Sequence, residues 1–489
     1  MPSVFKKLFQ QSFAYAVGTV LNRATNIILV PLYVRHLSKA EYGMLEILLL
    51  TSTLTMIVLQ LGMGSALMRS VLYKGGGNRQ EISSTAHSFL SLFSFTVIVL
   101  LMFFSPQLSE LLFSSREGTA LLRVLFLGDL FLVGATIPMS LMRIDQKVKL
   151  FVQISAANFI LGVGFTFLFL VYLKRGVMGV LWANTITAGL FALFYLYVNR
   201  QEWRPKFSWS ELRDMLGFGL PLVPSAMGDL VLQASDRYII KAYHGFEQLG
   251  AYSVGMRLSM VIALAVNAFQ MAWPAIFFPM VKDPRANRQF ARIFTYYVFA
   301  MLGMIVAMAL FSHEIILLFA TAGYLEAAQF LPLLSLSFLF YGMYYYTSIG
   351  LQVEKKTWIS ALVLLLAAGL NVFLNLALIP GWGLMGAGVA KLLSFMFLGL
   401  TIAWISQRYY AIAYEYGRLA KLALLVAAAF AASLLIRGLT LEAFLLRLLT
   451  LLLLPVLLLL MRFFPHGDLQ RLQGLWAQRF RGRRDASGH

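Results

Sequence analysis

Residues 22–46 read NRATNIILVPLYVRHLSKAEYGMLE. An arginine, Arg23, stands inside an apolar run that also contains Pro31. A short polar turn from Arg35 to Gly43 follows, and a second apolar run starts at once. Two long apolar runs joined by so short a turn describe a pair of membrane-crossing helices. A charge inside such a run is costly and marks a functional or structural need.

The same pattern recurs along the whole chain. Of 489 residues, 60% are hydrophobic and 12% charged, with a mean hydropathy of +0.77. A soluble domain carries about 25% charged residues. The apolar runs are long enough for helices that cross roughly 30 Å of hydrocarbon. They do not alternate apolar and polar, so a transmembrane β-barrel is not expected. The expected class is an all-α polytopic membrane protein with fourteen spans, near 12–34, 41–64, 84–104, 120–141, 151–172, 177–198, 218–241, 249–272, 292–312, 326–349, 358–379, 384–406, 418–437 and 443–463. The first run carries no small-residue cleavage site, so no removable signal peptide is expected. The chain has no cysteine, which excludes disulfides and thiolate metal sites.

The net charge of +19 would suggest nucleic acid in a soluble protein. Here topology accounts for it. With the N-terminus placed in the cytoplasm, 27 of the 40 Lys and Arg fall on the cytoplasmic side and eight on the other. That is the positive-inside asymmetry, and it supports an even number of spans with both termini cytoplasmic. The residues after 465 place Leu469, Leu472, Trp476 and Phe480 at helical spacing between arginines. This pattern predicts an amphipathic helix on an anionic lipid leaflet.

The two halves match at one offset of 207 residues. Gly43 pairs with Gly250 and Lys149 with Lys356. The segment GVMGVLWAN at 176–184 pairs with GLMGAGVAK at 383–391. The offset carries span 1 onto span 7 and span 6 onto span 12. Each half then holds six spans in the same orientation, as in parallel-repeat transporters. The expected division is an N-lobe at 1–207, a C-lobe at 208–414, two appended spans within 415–465, and a basic amphipathic tail at 466–489. Two such lobes enclose a central cavity, with substrate expected near the membrane midplane.

The turn YVRHLSKAEYG, the opening of span 7, FGLPLVPSAMG, and the segment AWPAIFFPMVKD after span 8 resemble the Wzx-like polysaccharide (O-antigen) flippases. These belong to the multidrug/oligosaccharidyl-lipid/polysaccharide exporter (MOP) superfamily, which also holds the MATE drug exporters. The resemblance implies flipping of undecaprenyl-diphosphate-linked oligosaccharide from the cytoplasmic to the periplasmic leaflet of a bacterial inner membrane. It also implies alternating access of the two lobes and a role in surface polysaccharide biosynthesis, including lipopolysaccharide O-antigen. The lipid II flippases of the same superfamily are similar in lining their cavity with arginines on spans 1 and 8, where Arg23 and Arg257 stand in comparable places.

The charges inside spans are the candidate site. Arg23, Arg257 and Lys391, with Asn22, are the expected cargo-binding residues, since guanidinium suits phosphate oxygens. The other reading of each cation is an ion pair with a buried acid, or a head snorkelling to the interface. By the repeat, Asn184 is the mate of Lys391 and Asn22 the mate of Asp229. Polar groups therefore recur at equal depth in both lobes. Asp229, Asp236, Arg237, Asp129 and Glu46 are the expected coupling or gating residues, with charge balance as the alternative. A proton or sodium gradient would drive such a carboxylate. Pro31, Pro221 and Pro224 are candidate hinges or static kinks. The aromatic run YGMYYY at 341–346 reads as interfacial belt residues or as stacking partners for cargo sugars. The histidines show no metal spacing, and GGG at 75–77 lacks a phosphate-loop context, so no cofactor is expected.

Three other functions compete. A MATE-like cation-coupled drug exporter would favour a carboxylate-rich cavity, and the in-span charges tie at four cations and four acids. A membrane glycosyltransferase, polymerase or ligase would need a larger loop than any here. A membrane subunit of a polysaccharide secretion complex would differ in partners. The expected partners are lipid-linked oligosaccharide, anionic lipids and a polysaccharide polymerase. The expected reading is a transporter, not an enzyme.

Overall fold

A computed structural model describes residues 27–73, 78–200, 206–281, 283, 285–436 and 438–464. Arg23, Asn22, GGG at 75–77 and the tail at 466–489 lie outside them. The described residues are helical throughout, joined by short turns. In order the main helices are α1 Val30–His36, α2 Lys39–Gln60, α3 Met63–Tyr73, α4 Arg79–Phe103, α5 Ser105–Phe113, α6 Thr119–Gly134, α7 Thr136–Ile144, α8 Val148–Thr166 and α9 Gly176–Val198. There follow α10 Trp209–Gly219, α11 Leu222–Met280, α12 Ala286–Leu310, α13 Ser312–Phe319, α14 Ala327–Thr347, α15 Ile349–Val353, α16 Thr357–Ser406, α17 Tyr416–Leu435 and α18 Leu441–Leu460.

Eleven helical stretches among the described residues are long and apolar enough to cross a membrane. Two of them are double. A straight 59-residue helix such as α11 would run about 90 Å, far beyond a bilayer. It breaks at Gly245, with φ 77°, and α16 breaks at Gly383, with φ 55°. These breaks fall between the expected spans 7 and 8 and the expected spans 11 and 12. With both counted, the eleven stretches make thirteen crossings, and the described part of span 1 precedes them. Gly383 and its repeat mate Gly176 share a positive φ, 55° and 56°. Glycine adopts that region without the Cβ penalty of other residues.

The conspicuous turn of the sequence is a helix start. Ser38 caps α2 by accepting from the Glu41 amide at 3.2 Å, and Glu41 reaches back to the Ser38 amide at 2.8 Å. That reciprocal pair is a capping box. The three candidate hinge prolines stand at helix starts, where a missing N–H costs little. Pro31 lies in the first turn of α1, Pro221 in the turn before α11, and Pro224 in the first turn of α11.

The helices pack as two compact units. One holds the described residues of Met1–Pro279 and Ile316–Ala411, and the other those of Met280–Ile315 and Ile412–His489. In the second unit α12, α17 and α18 meet through Val306, Leu310, Ala429 and Leu451. Its buried Arg447 pairs with Glu314 and donates to the Ile436 and Gly438 carbonyls at 2.9 Å. The buried charges of the candidate site all belong to the first unit.

Candidate functional site

Three polar clusters, and a cavity beside Asp129, hold the candidate residues of the first unit. The first joins the halves. Glu46 on α2 faces Arg257 on the second half of α11, with Arg257 Nε donating to Glu46 Oε1 at 2.6 Å. A second guanidinium nitrogen reaches the same oxygen. Arg237 Nε lies 3.9 Å from Glu46 Oε2. All three side chains are buried. Arg257 is also held 5.9 Å over the rings of Tyr33 and Tyr42, a cation–π arrangement.

The second cluster lies one residue along α11. Asp236 is fully buried and pairs with the equally buried Lys391 at 2.7 Å. Tyr252 donates to the same carboxylate oxygen at 2.5 Å, and Lys391 donates to the Gln233 carbonyl at 2.7 Å. The polar seam continues through Ser235, which donates to Asn371 at 2.9 Å, and Asn375, which donates to Asn371 at 2.9 Å. A buried pair so fully hydrogen-bonded offsets the cost of desolvating its charges.

The third cluster lies two turns before Asp236. Asp229 accepts from Gln233 Nε2 at 2.6 Å and from the Tyr341 hydroxyl at 2.8 Å. Tyr341 and Tyr345 share a hydroxyl contact of 2.9 Å.

Asp129 differs from these. It is buried on α6 and receives the Ser52 hydroxyl on one oxygen, while its other oxygen has no hydrogen-bond partner. It borders a cavity of about 220 Å³ whose polar lining includes Ser52, Asn158, Asn184, Thr185 and Thr187. Gly128 allows this geometry, because a Cβ there would come within 2.8 Å of the Thr185 hydroxyl. The repeat relates this cavity to the second cluster. Asn184 is the mate of Lys391, Leu29 of Asp236, Ser52 of Ser259 and Thr187 of Ser394.

Helices of the two halves meet at both ends of the bundle. At the Ser38 end, a Cβ on Gly43 would strike the Phe246 carbonyl, and a Cβ on Gly250 would strike the Lys39 carbonyl. Phe246 is the repeat mate of Lys39, so this contact is symmetric. Lys39 also pairs with Glu326 at 3.1 Å. At the other end a Cβ on Gly62 would lie 2.6 Å from the Gly219 carbonyl, and Arg69 stands 3.5 Å from Asp214 and 4.9 Å over Phe218.

The structure thus brings together Glu46, Arg237 and Arg257, and separately Asp236 and Lys391. It places Asp229 and Asp129 in different settings. Arg257 and Lys391 are held by acids, not aimed into open space. Sequence reading missed Tyr252, Gln233, Ser52 and Asn158. Their types are ordinary in a membrane helix, and only the repeat gave a signal, through the pair Ser52 and Ser259.

A family model described as polysaccharide biosynthesis protein matches residues 32–329, and the chain belongs to that family. It is 24% identical over 289 residues to Lsg locus putative protein 1 of Haemophilus influenzae, covering 57% of this chain and 68% of that one. Among solved structures it is similar to the lipid II flippase MurJ in an inward closed conformation, with a TM-score of 0.73, 16% identity, and coverage of 91% and 97% of the two chains. It is also similar to an inward-facing multidrug resistance MATE family transporter of the MOP superfamily, with a TM-score of 0.62, 16% identity, and coverage of 80% and 94%. The chain is therefore a multi-pass membrane protein with the MOP fold, as the sequence resemblance implies.

Proposed function

We propose that this member of the polysaccharide biosynthesis protein family is a flippase for undecaprenyl-diphosphate-linked oligosaccharide. It moves its cargo from the cytoplasmic to the periplasmic leaflet of a bacterial inner membrane, with both termini in the cytoplasm. The lobes at 1–207 and 208–414 rock about the central seam. The observation that carries this reading is that the two halves touch at both ends of α2, at Gly43 and Gly250 and at Gly62 and Gly219. Two lobes that touch at both ends and hold paired charges between them suit a cycle in which each end opens in turn. In that cycle the ion pairs of Arg257 and Lys391 exchange their acids for a cargo diphosphate when the seam opens. From span 1, Arg23 adds a further cation to this set and Asn22 a neutral amide.

Asp129 supports a coupling role. A buried carboxylate with one unpartnered oxygen, beside a hydroxyl- and amide-lined cavity, is suited to take a proton or a monovalent cation. Asp229, which the repeat pairs with Asn22, is the alternative coupling acid in the other half. The protein acts as a transporter and performs no catalysis. A polysaccharide polymerase uses the delivered cargo, and the basic tail rests on anionic lipid.

The test is deletion of the gene and complementation. Surface polysaccharide should disappear and lipid-linked oligosaccharide should accumulate inside, and the intact gene should restore export. Unchanged surface glycan in the deletion strain, with drug resistance on overexpression, would overturn this reading in favour of a drug exporter.

A further inference from the structure

A second cavity, of about 480 Å³, opens at the end of the first unit where α14 and α16 meet the Lys355–Lys356 turn. Its size falls in the range of ligand pockets, ~300–1,000 Å³. Its walls come from α11, α14, α15 and α16, and include Gln270, Trp273, Tyr344, Tyr345, Gln352 and Ser360. No Asp, Glu, Lys or Arg lines it. In a chain that pairs its buried charges so carefully, an uncharged yet polar cavity is a distinct environment.

The aromatic wall is closely packed. Trp273 is buried and stacks on Tyr346 with ring centroids 4.4 Å apart, and its indole N–H donates to the Tyr346 carbonyl at 3.3 Å. Tyr344 and Tyr345 lie 4.9 Å apart at 57°, and Tyr345 is braced by Tyr341 at 5.0 Å and 82°. The polar wall includes a buried group left over from folding. The Ser360 hydroxyl is buried and has no hydrogen-bond partner. Such a group costs free energy unless something occupies the site and pairs with it.

We propose that this cavity binds the neutral sugar portion of the cargo, a reading that rests on the flippase assignment. A neutral saccharide offers hydroxyls that both donate and accept, and apolar C–H faces that pack on aromatic rings. Side-chain amides, hydroxyls and tyrosine faces match both properties. A diphosphate or an acidic sugar would call for cations, and a cationic drug for carboxylates. The cavity supplies neither. It lies at the cytoplasmic end in the proposed orientation, so it meets the glycan on the loading side. The charges of the central seam are left for the diphosphate.

Saturation-transfer difference NMR on the purified full-length protein in nanodiscs tests this. The probes are neutral tetrasaccharides of glucose, galactose, mannose and N-acetylglucosamine, with tetragalacturonate as the acidic comparison. At least one neutral probe should receive saturation and the uronate none. Gln270→Leu should cut the signal at least fivefold. If that variant is not monodisperse, Gln352→Leu, at an exposed position, should do the same. No transfer to any neutral probe, equal transfer to the uronate, or an unchanged signal in the variants overturns the proposal. Surface glycan in the complemented deletion strain reads the transport assignment separately. A protein that exports but binds no neutral probe overturns the sugar site alone. One that binds a neutral probe but does not export overturns the flippase reading, and with it the assignment of that sugar as cargo.

Discussion

At the scale of single residues, a buried charge is defined by what neutralises it. Glu46 and Arg257 are 211 residues apart in sequence and share their hydrogen bond in a buried place. Removing one partner leaves the other uncompensated, which costs on the order of 3–5 kcal/mol for a buried pair. Arg257→Ala should therefore lower the thermal midpoint of the purified protein by several degrees as well as reduce export. Arg257→Lys keeps a cation beside Glu46 and should recover most of the stability, but less of the export, because it loses the forked guanidinium. Thermal unfolding and surface-glycan staining of the same variants check both. The sequence located each of these charges from its cost in a membrane. It could not pair them, because the pairing depends on how distant helices face one another.

Asp145, in the turn between α7 and α8, shows the same logic outside the membrane. Its partial burial opposes ionisation. Arg79 at 2.7 Å and Lys147 at 3.1 Å outweigh that and hold the carboxyl below its ordinary value. A carboxyl with a depressed folded value adds stability above its unfolded value, about 3.9. That contribution is lost as pH falls through the folded value. The stability gap between the native chain and Asp145→Asn should be full at pH 7, shrink steadily below about pH 4, and vanish in stronger acid. Thermal melts across that range measure it, and a gap independent of pH would reject the assignment.

At the scale of elements, the glycines at helix contacts do more than turn the chain. Gly43 and Gly250 were legible as a repeat match. Their function was not, because close approach of two backbones leaves no mark beyond the absence of a side chain. Each lies against a carbonyl of the opposite half, and neither has room for a Cβ. Gly43→Val should wedge the Ser38 end open and leave the Gly62–Gly219 contact intact. The chain has no cysteine, so one can be placed at will. Ser253 is buried one turn beyond Gly250. Ser253→Cys should react slowly with an impermeant maleimide in intact cells, and several-fold faster when combined with Gly43→Val. Equal rates would show that this contact is not the closure. The breaks at Gly245 and Gly383 were legible for a simpler reason. The apolar stretch of α16 is too long to cross a bilayer as a single helix, and the polar stretch KAYHGFEQ at 241–248 divides α11.

At the scale of the whole molecule, the repeat predicts a symmetry that the side chains then break. The same offset relates the Asp129 cavity to the Lys391–Asp236 pair, so one fold position is a neutral pocket with a single acid in one half and a closed ion pair in the other. A closed pair has no vacancy to fill. The Asp129 pocket has an unpartnered carboxylate oxygen and space beside it, and this asymmetry supports the proposed coupling role of Asp129. Asp129→Asn keeps the shape and the contact with Ser52 but removes the ionisable group. Export by this variant should fall at least tenfold, and a protonophore or sodium removal should have no further effect on what remains. Asn184→Ala, which removes a neutral lining group of the same cavity, should keep the gradient dependence while slowing export. Measured as the rate at which new glycan reaches the surface, undiminished and gradient-dependent export in Asp129→Asn would move the coupling site to Asp229.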